Sequence, residues 1–244
     1  MSDLSYTQEL YLCAVNEKGK LMTMRRDEAS AGLVAGVTME LLELGLVALD
    51  DKDKLVVSKS WGAADDQPEE DYPFEEPSGP LAKEPPSYLR GPYETIAAFK
   101  KPSGIDKVAE HYLFGMSGKP FQGLLREVGA SLWAVECADE VPGKDGAKKR
   151  YAPRREATMR VIEKLRAEFL EAGAMSDETV CLALLLDRSG LIRDYFSKIE
   201  RATWKARVKE VRQSELAGPA KAMFEHIDAA ITAVMVCVMA ASTV

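Results

Sequence analysis

Val34, Val37, Leu41 and Leu44 recur at spacings of three, four and three residues. That rhythm puts all four on one side of a helix with 3.6 residues per turn and leaves the opposite side for other contacts. Asp27 can cap the start of this helix, and Gly45 supplies a left-handed stop. Gly32 and Gly36 lie one turn apart on it, where missing side chains let another element approach closely. The same rhythm returns along the chain. Tyr6, Leu10, Cys13 and Ala14 follow Ser5 and Gln8, which are spaced as a capping box. Helical pattern resumes over 93–128, broken at Pro102 and across 115–120. Ile162, Leu165 and Phe169 form a stripe that ends at Gly173, and Ser176 caps a helix carrying Val180, Cys181, Leu184 and Leu185. Ile192, Tyr195, Phe196 and Ile199 begin another, and a last helix starts near Pro219.

Strand pattern is sparse. Segments 46–49 and 55–58 flank the polar turn 50–53 and read as a hairpin. A second hairpin is predicted over 132–151, with 132–135 and 148–151 as arms around the turn 142–146. Residues 20–24 look like a short strand. The expected fold is mostly α: a single helical domain over 1–244, packed around a buried C-terminal helix, with small β-hairpins. The uncharged stretch 229–244 is shorter than the roughly 20 residues a bilayer span requires, so it reads as that buried helix. Over 62–86, seven acids between Asp65 and Glu76 are interleaved with prolines, which predicts an exposed loop.

Composition narrows the function. A formal net charge of -7 argues against nucleic acid as a partner. Cys13, Cys137, Cys181 and Cys237 form no CxxC pair and, with only two histidines, supply no zinc-ligand pattern. They read as reduced thiols in or near the core. No metal and no cofactor is expected. The opening residues lack a basic and apolar leader, so the chain is expected to be cytoplasmic. The segment 115–120 (Gly-Met-Ser-Gly-Lys-Pro) has too few residues between its glycines for a phosphate-binding loop, and Pro120 stands where a hydroxyl is needed. There is no nucleophile elbow, no HExxH and no dinucleotide fingerprint. His111 and His226 each follow a glutamate and read as structural. Binding, not catalysis, is the expectation.

One charged constellation stands out. Lys148, Lys149, Arg150, Arg154 and Arg155 crowd the end of the second hairpin and the start of the next helix. Cations at a helix N-terminus oppose the dipole by about 0.3–1 kcal/mol each. Either the acidic loop compensates within the molecule, or an anion or acidic partner does. Arg25 and Arg26, ahead of the second helix, form a smaller cluster of the same kind.

The segments 4–12 and 16–20, the helix 31–45, the helix end 124–129, the late segments 180–186 and 189–192, and 207–216 resemble, in that order, the Golgi phosphoprotein 3 family. The resemblance covers most of the chain outside 60–115. It implies a mostly helical fold, peripheral attachment to membranes through a phosphatidylinositol 4-phosphate headgroup, and an adaptor role. It also implies a hairpin that serves in oligomerisation and membrane contact. The sequence departs from the family at the ligand positions. The headgroup-stacking tryptophan falls on Arg25, the second-helix arginine on Val34, and an arginine pair near 115–119, where Lys119 is basic. Two readings result. In the first, Arg25, Arg26, Lys119, Lys148, Lys149, Arg150, Arg154 and Arg155 hold an anionic phospholipid surface. In the second, the fold is a protein–protein scaffold without lipid binding, whose contact surfaces are the acidic loop and the hairpin residues Leu132, Trp133 and Val135, the hairpin joining identical subunits.

Overall fold

Helix α1 (Tyr6–Ala14) is buried on nearly every face, and the other elements are arranged around it. In the computed structural model, residues 4–22, 26–62, 84–114, 118–143, 148–171, 175–213 and 232 are described. Ser5 caps α1 as expected, its hydroxyl accepting from the Gln8 N–H while the Gln8 side chain accepts from the Ser5 N–H. Helix α2 (Arg26–Glu43) crosses it closely. A Cβ on Gly36 would lie 2.7 Å from Thr7 Oγ1, and one on Gly32 would strike Ser189 Oγ. The two glycines are there for packing, as the sequence suggests. Gly45 turns the chain at φ +62°, while Leu44, expected in the core stripe, is 44% exposed because the helix has ended before it.

Strands β1 (Val47–Leu49) and β2 (Leu55–Val57) pair antiparallel, Ala48 opposite Val56. The Asp50 carboxylate accepts the Lys52 and Lys54 N–H groups across the turn. Helix α3 (Arg90–Ala97) and helix α4 (Ile105–Leu113) follow, separated at Pro102. Helix α5 (Lys119–Ala134) starts one residue before Pro120. That proline therefore sits in the first turn of the helix, where its missing N–H costs nothing, and does not break it.

The second hairpin is real but its first arm is displaced. Residues 132–134 belong to α5, because the buried series Phe121, Leu124, Leu125, Val128 and Leu132 keeps helical spacing to the end. Glu136, at φ +59°, then turns the chain. Strand β3 (Ala138–Val141) pairs antiparallel with β4 (Arg150–Pro153), Glu140 opposite Tyr151. Its two central residues, Asp139 and Glu140, are both exposed acids, so the strand carries no apolar alternation. Helix α6 (Arg155–Leu165) continues into a π-turn, Arg166–Leu170. Helix α7 (Asp177–Arg188) begins at the Ser176 cap, whose hydroxyl accepts from the Thr179 N–H. The helix expected from Ile192 is split into a single turn, α8 (Ile192–Tyr195), and α9 (Lys198–Gln213). Ile199 falls at the junction and is 81% exposed.

Of the expected strand at 20–24, the described residues 20–22 make one bridge, Val15 to Leu21, and residues 23 and 24 lie outside the described ones. The predicted C-terminal helix, most of the acidic loop, Gly173, Cys237 and His226 lie outside the described residues. Among the described residues the fold is mostly helical with two small antiparallel hairpins, and no helix is long and apolar enough to cross a membrane.

Candidate anion-binding groove

Four segments far apart in sequence meet beside α1. The first is the turn that follows it. The Asn16 side-chain oxygen accepts from the Lys18 and Lys20 N–H groups at 2.9 and 3.2 Å, and Gly19 occupies a left-handed conformation at φ +64°. A Cβ on Gly19 would lie 2.7 Å from the Arg150 Cβ, so the turn rests directly on β4. The second segment is β4 itself, held from below by Tyr11, whose hydroxyl donates to the Tyr151 carbonyl at 2.7 Å. The third is α5, whose first half supplies Lys119, Gln122, Leu125 and Arg126, while its later Gly129 lets Tyr11 and Tyr151 close in: a Cβ there would lie 2.6 Å from the Tyr11 hydroxyl. The fourth is the N-terminal end of α2 at Arg26.

Between them run two adjoining hollows of about 360 and 370 Å³, each within the size range of small-molecule sites. Lys119, Arg126, Lys148, Lys149 and Arg150 line the first, and Lys20, Arg26 and Arg150 the second. Gly19, Gln122, Leu125 and Arg150 border both, so the hollows form one two-lobed groove. No carboxylate is among the described residues that line it, although the protein as a whole is acidic. The first turn of α5 also carries no acid, so the positive end of its dipole is left uncancelled beside Lys119.

The expected cations divide. Arg26, Lys119, Lys148, Lys149 and Arg150 converge here. Lys149 is also tied to Glu140 at 2.8 Å, a hydrogen bond that raises its pKa. Arg154 does not line either lobe. It pairs with Asp139 at 2.8 Å, again with a raised pKa, and Arg155 opens α6 away from the lining. Arg25 lies outside the described residues. Val34, where the family resemblance places an arginine, is wholly buried.

Lys20, Gln122 and Arg126 complete the groove and were not anticipated. Lys119, Gln122 and Arg126 are spaced three and four residues apart, one face of a helix, which is a signal the sequence does contain. Of the hairpin residues, Leu132 is in the core, whereas Trp133 is 52% and Val135 40% exposed.

Cations gathered without carboxylates over a tyrosine-backed floor define a helical protein with an electropositive groove on an acidic body. The chain belongs to the Golgi phosphoprotein 3 family, whose sequence model (Golgi phosphoprotein 3, GPP34) matches residues 7–227. No curated protein matches it.

Proposed function

We propose that the protein is a non-catalytic peripheral membrane adaptor that holds an anionic phospholipid headgroup, of the phosphatidylinositol 4-phosphate kind, in the two-lobed groove. The supporting observation is the convergence of Arg26, Lys119, Lys148 and Arg150 from distant segments with no lining carboxylate among the described residues. A cation near an anionic bilayer contributes about 1 kcal/mol, so several together hold a protein whose net charge is negative. The test is co-sedimentation with phosphatidylcholine vesicles that contain or lack phosphatidylinositol 4-phosphate. Binding to the anionic vesicles should fall with added salt and be lost in Lys148→Glu/Arg150→Glu. Equal binding to neutral and anionic vesicles at low salt overturns the reading.

A second reading, an oligomerisation or client-binding scaffold, is favoured by the exposure of Trp133 and Val135 at the root of the β3–β4 hairpin. Trp133→Ser should then lower the mass measured by light scattering. An unchanged mass removes this role.

A further inference from the structure

Helix α9 buries Trp204, Val208 and Val211. Lys198, Arg201, Lys205 and Lys209 follow one another at spacings of three, four and four residues, so they form a line down the flank beside that buried stripe. Lys198, Lys205 and Lys209 are exposed and Arg201 is half-buried. The Arg201 guanidinium donates to the Arg193 backbone carbonyl at 3.5 Å. The two carboxylates of α9 are engaged by other arginines: Glu200 by Arg166 at 2.8 Å and Glu210 by Arg207 at 2.7 Å. None of the four flank cations pairs with a described carboxylate.

Like charges one turn apart repel, and Lys198 and Arg201 stand at the positive end of the helix dipole. The flank therefore weakens its own helix unless something acidic lies alongside. The outermost face of α9 carries Ile199, 81% exposed, with Ala202, Thr203 and Ala206, all exposed. Along Ala202, Thr203 and Ala206 the side chains are small enough to let a second helix axis approach to about 8 Å, the near end of the packing range, with Ile199 at one end of the face.

The geometry selects the partner. A flat anionic bilayer laid on α9 would meet Ala202 and Ala206 first, with the cations off to one side. A helix lying along the small residues instead turns its own flank to the cations. They recur about every 6 Å over about 16 Å, the repeat at which acids four residues apart recur on a helix. We infer that α9 is a docking face for an acidic amphipathic helix of a partner protein, separate from the groove, with which it shares no residue.

The probe is a fluorescein-labelled synthetic helix with alanine and leucine on one face and glutamates four residues apart along one border. Its control has the same composition with the glutamates moved to the opposite face. In fluorescence anisotropy the patterned peptide should bind more tightly than the control. Lys205→Glu/Lys209→Glu should weaken it about tenfold, the milder Lys205→Gln/Lys209→Gln less, and Lys148→Glu/Arg150→Glu not at all. Ala206→Arg separates docking from charge attraction. It adds a cation but fills the face, so docking requires weaker binding and simple attraction requires tighter. Circular dichroism checks that each variant is folded. Equal binding of the two peptides, tighter binding by Ala206→Arg, or loss of vesicle binding in place of peptide binding in Lys205→Glu/Lys209→Glu each overturns the inference.

Discussion

The Glu40 carboxylate, only 5% exposed, accepts the Tyr88 hydroxyl at 2.7 Å. Its other oxygen accepts the Thr7 N–H in the first turn of α1 at 3.1 Å, and Tyr88 is itself 2.8 Å from the Ser5 hydroxyl. One buried acid thus joins α2, the start of α1 and the turn Ser87–Leu89. Glu40→Leu removes the acceptor of the Thr7 N–H and leaves the Tyr88 hydroxyl with Ser5 alone, and should cost roughly 2–4 kcal/mol. Glu40→Gln keeps most of the contacts and should cost much less. Urea midpoints distinguish the two.

The same acid sets a pH dependence. Burial raises the Glu40 pKa above 4.5, against the lowering effect of its hydrogen bonds, and Glu43 is raised for the same leading reason. The folded state therefore binds more protons than the unfolded chain in this range. Their contribution to stability is fullest below 4.5 and is lost as pH rises through the folded values. In Glu40→Gln the decline should be shallower, with Glu43 supplying what remains. Urea midpoints taken at steps from pH 4 upward check this; an unchanged slope would show that Glu40 does not titrate in the range.

Arg166 makes the opposite kind of link. Its Nε lies 2.8 Å from Glu200, another nitrogen donates to the Tyr195 carbonyl, and its guanidinium lies over the Phe196 ring. The Glu200 pKa is lowered to about 2, chiefly by Arg166 and then by hydrogen bonds from Ser197. This contribution is present above the ordinary glutamate value and is lost as pH falls toward 2. Arg166→Gln should make fluorescence from Trp204, which packs on Phe196 and Phe169, less sensitive to acid over that window. Arg166→Lys should restore little, since an ammonium cannot reproduce the fork and the ring contact.

The groove depends on two glycines for different reasons. Gly129→Ala drives a methyl group into Tyr11 and Tyr151 and should destabilise the protein by about 1–3 kcal/mol. Gly19→Ala adds strain from a positive φ and pushes against Arg150. It should weaken binding to anionic vesicles with a smaller loss of stability. Thermal melts and co-sedimentation on both variants separate the effects.

Within the basic cluster the residues are unequal. Arg150 borders both lobes, whereas Lys149 is held by Glu140 and Arg154 by Asp139. Arg150→Ala should weaken vesicle binding about fivefold, as expected for one cation near an anionic surface. Lys149→Ala and Arg154→Ala should weaken it less. Equal losses in all three would mean that the pairs open at the membrane.

Elements defined by local chemistry were legible in the sequence. The Ser5 and Ser176 caps, the Gly45 stop, the first hairpin and the close approach at Gly32 and Gly36 each follow from a few neighbouring residues. The start of β3 was not, because Trp133 and Val135 have strand propensity while the helical stripe through Leu132 lies on the opposite side of α5. The acidic strand Ala138–Val141 gave no apolar alternation to find. For the groove, Arg26, Lys119 and Arg150 could be named, but their meeting depends on Gly19 resting on β4, a tertiary contact with no sequence signature. Arg154 and Arg155 lie outside the groove lining for the converse reason: adjacency in the chain suggested one cluster, whereas Arg154 pairs with Asp139.

Burial of α1 on nearly all sides reaches beyond packing. Glu9 meets Lys164 and the Cys13 carbonyl meets the Tyr195 hydroxyl, 155 and 182 residues downstream. An early helix whose partners are synthesised so much later must wait for them, and contacts of such long range slow the search for the native state. Until they are made, the apolar residues of α1 have no surface to be buried against. Excising this helix should not trim the molecule but leave the remaining helices without a common surface on which to assemble.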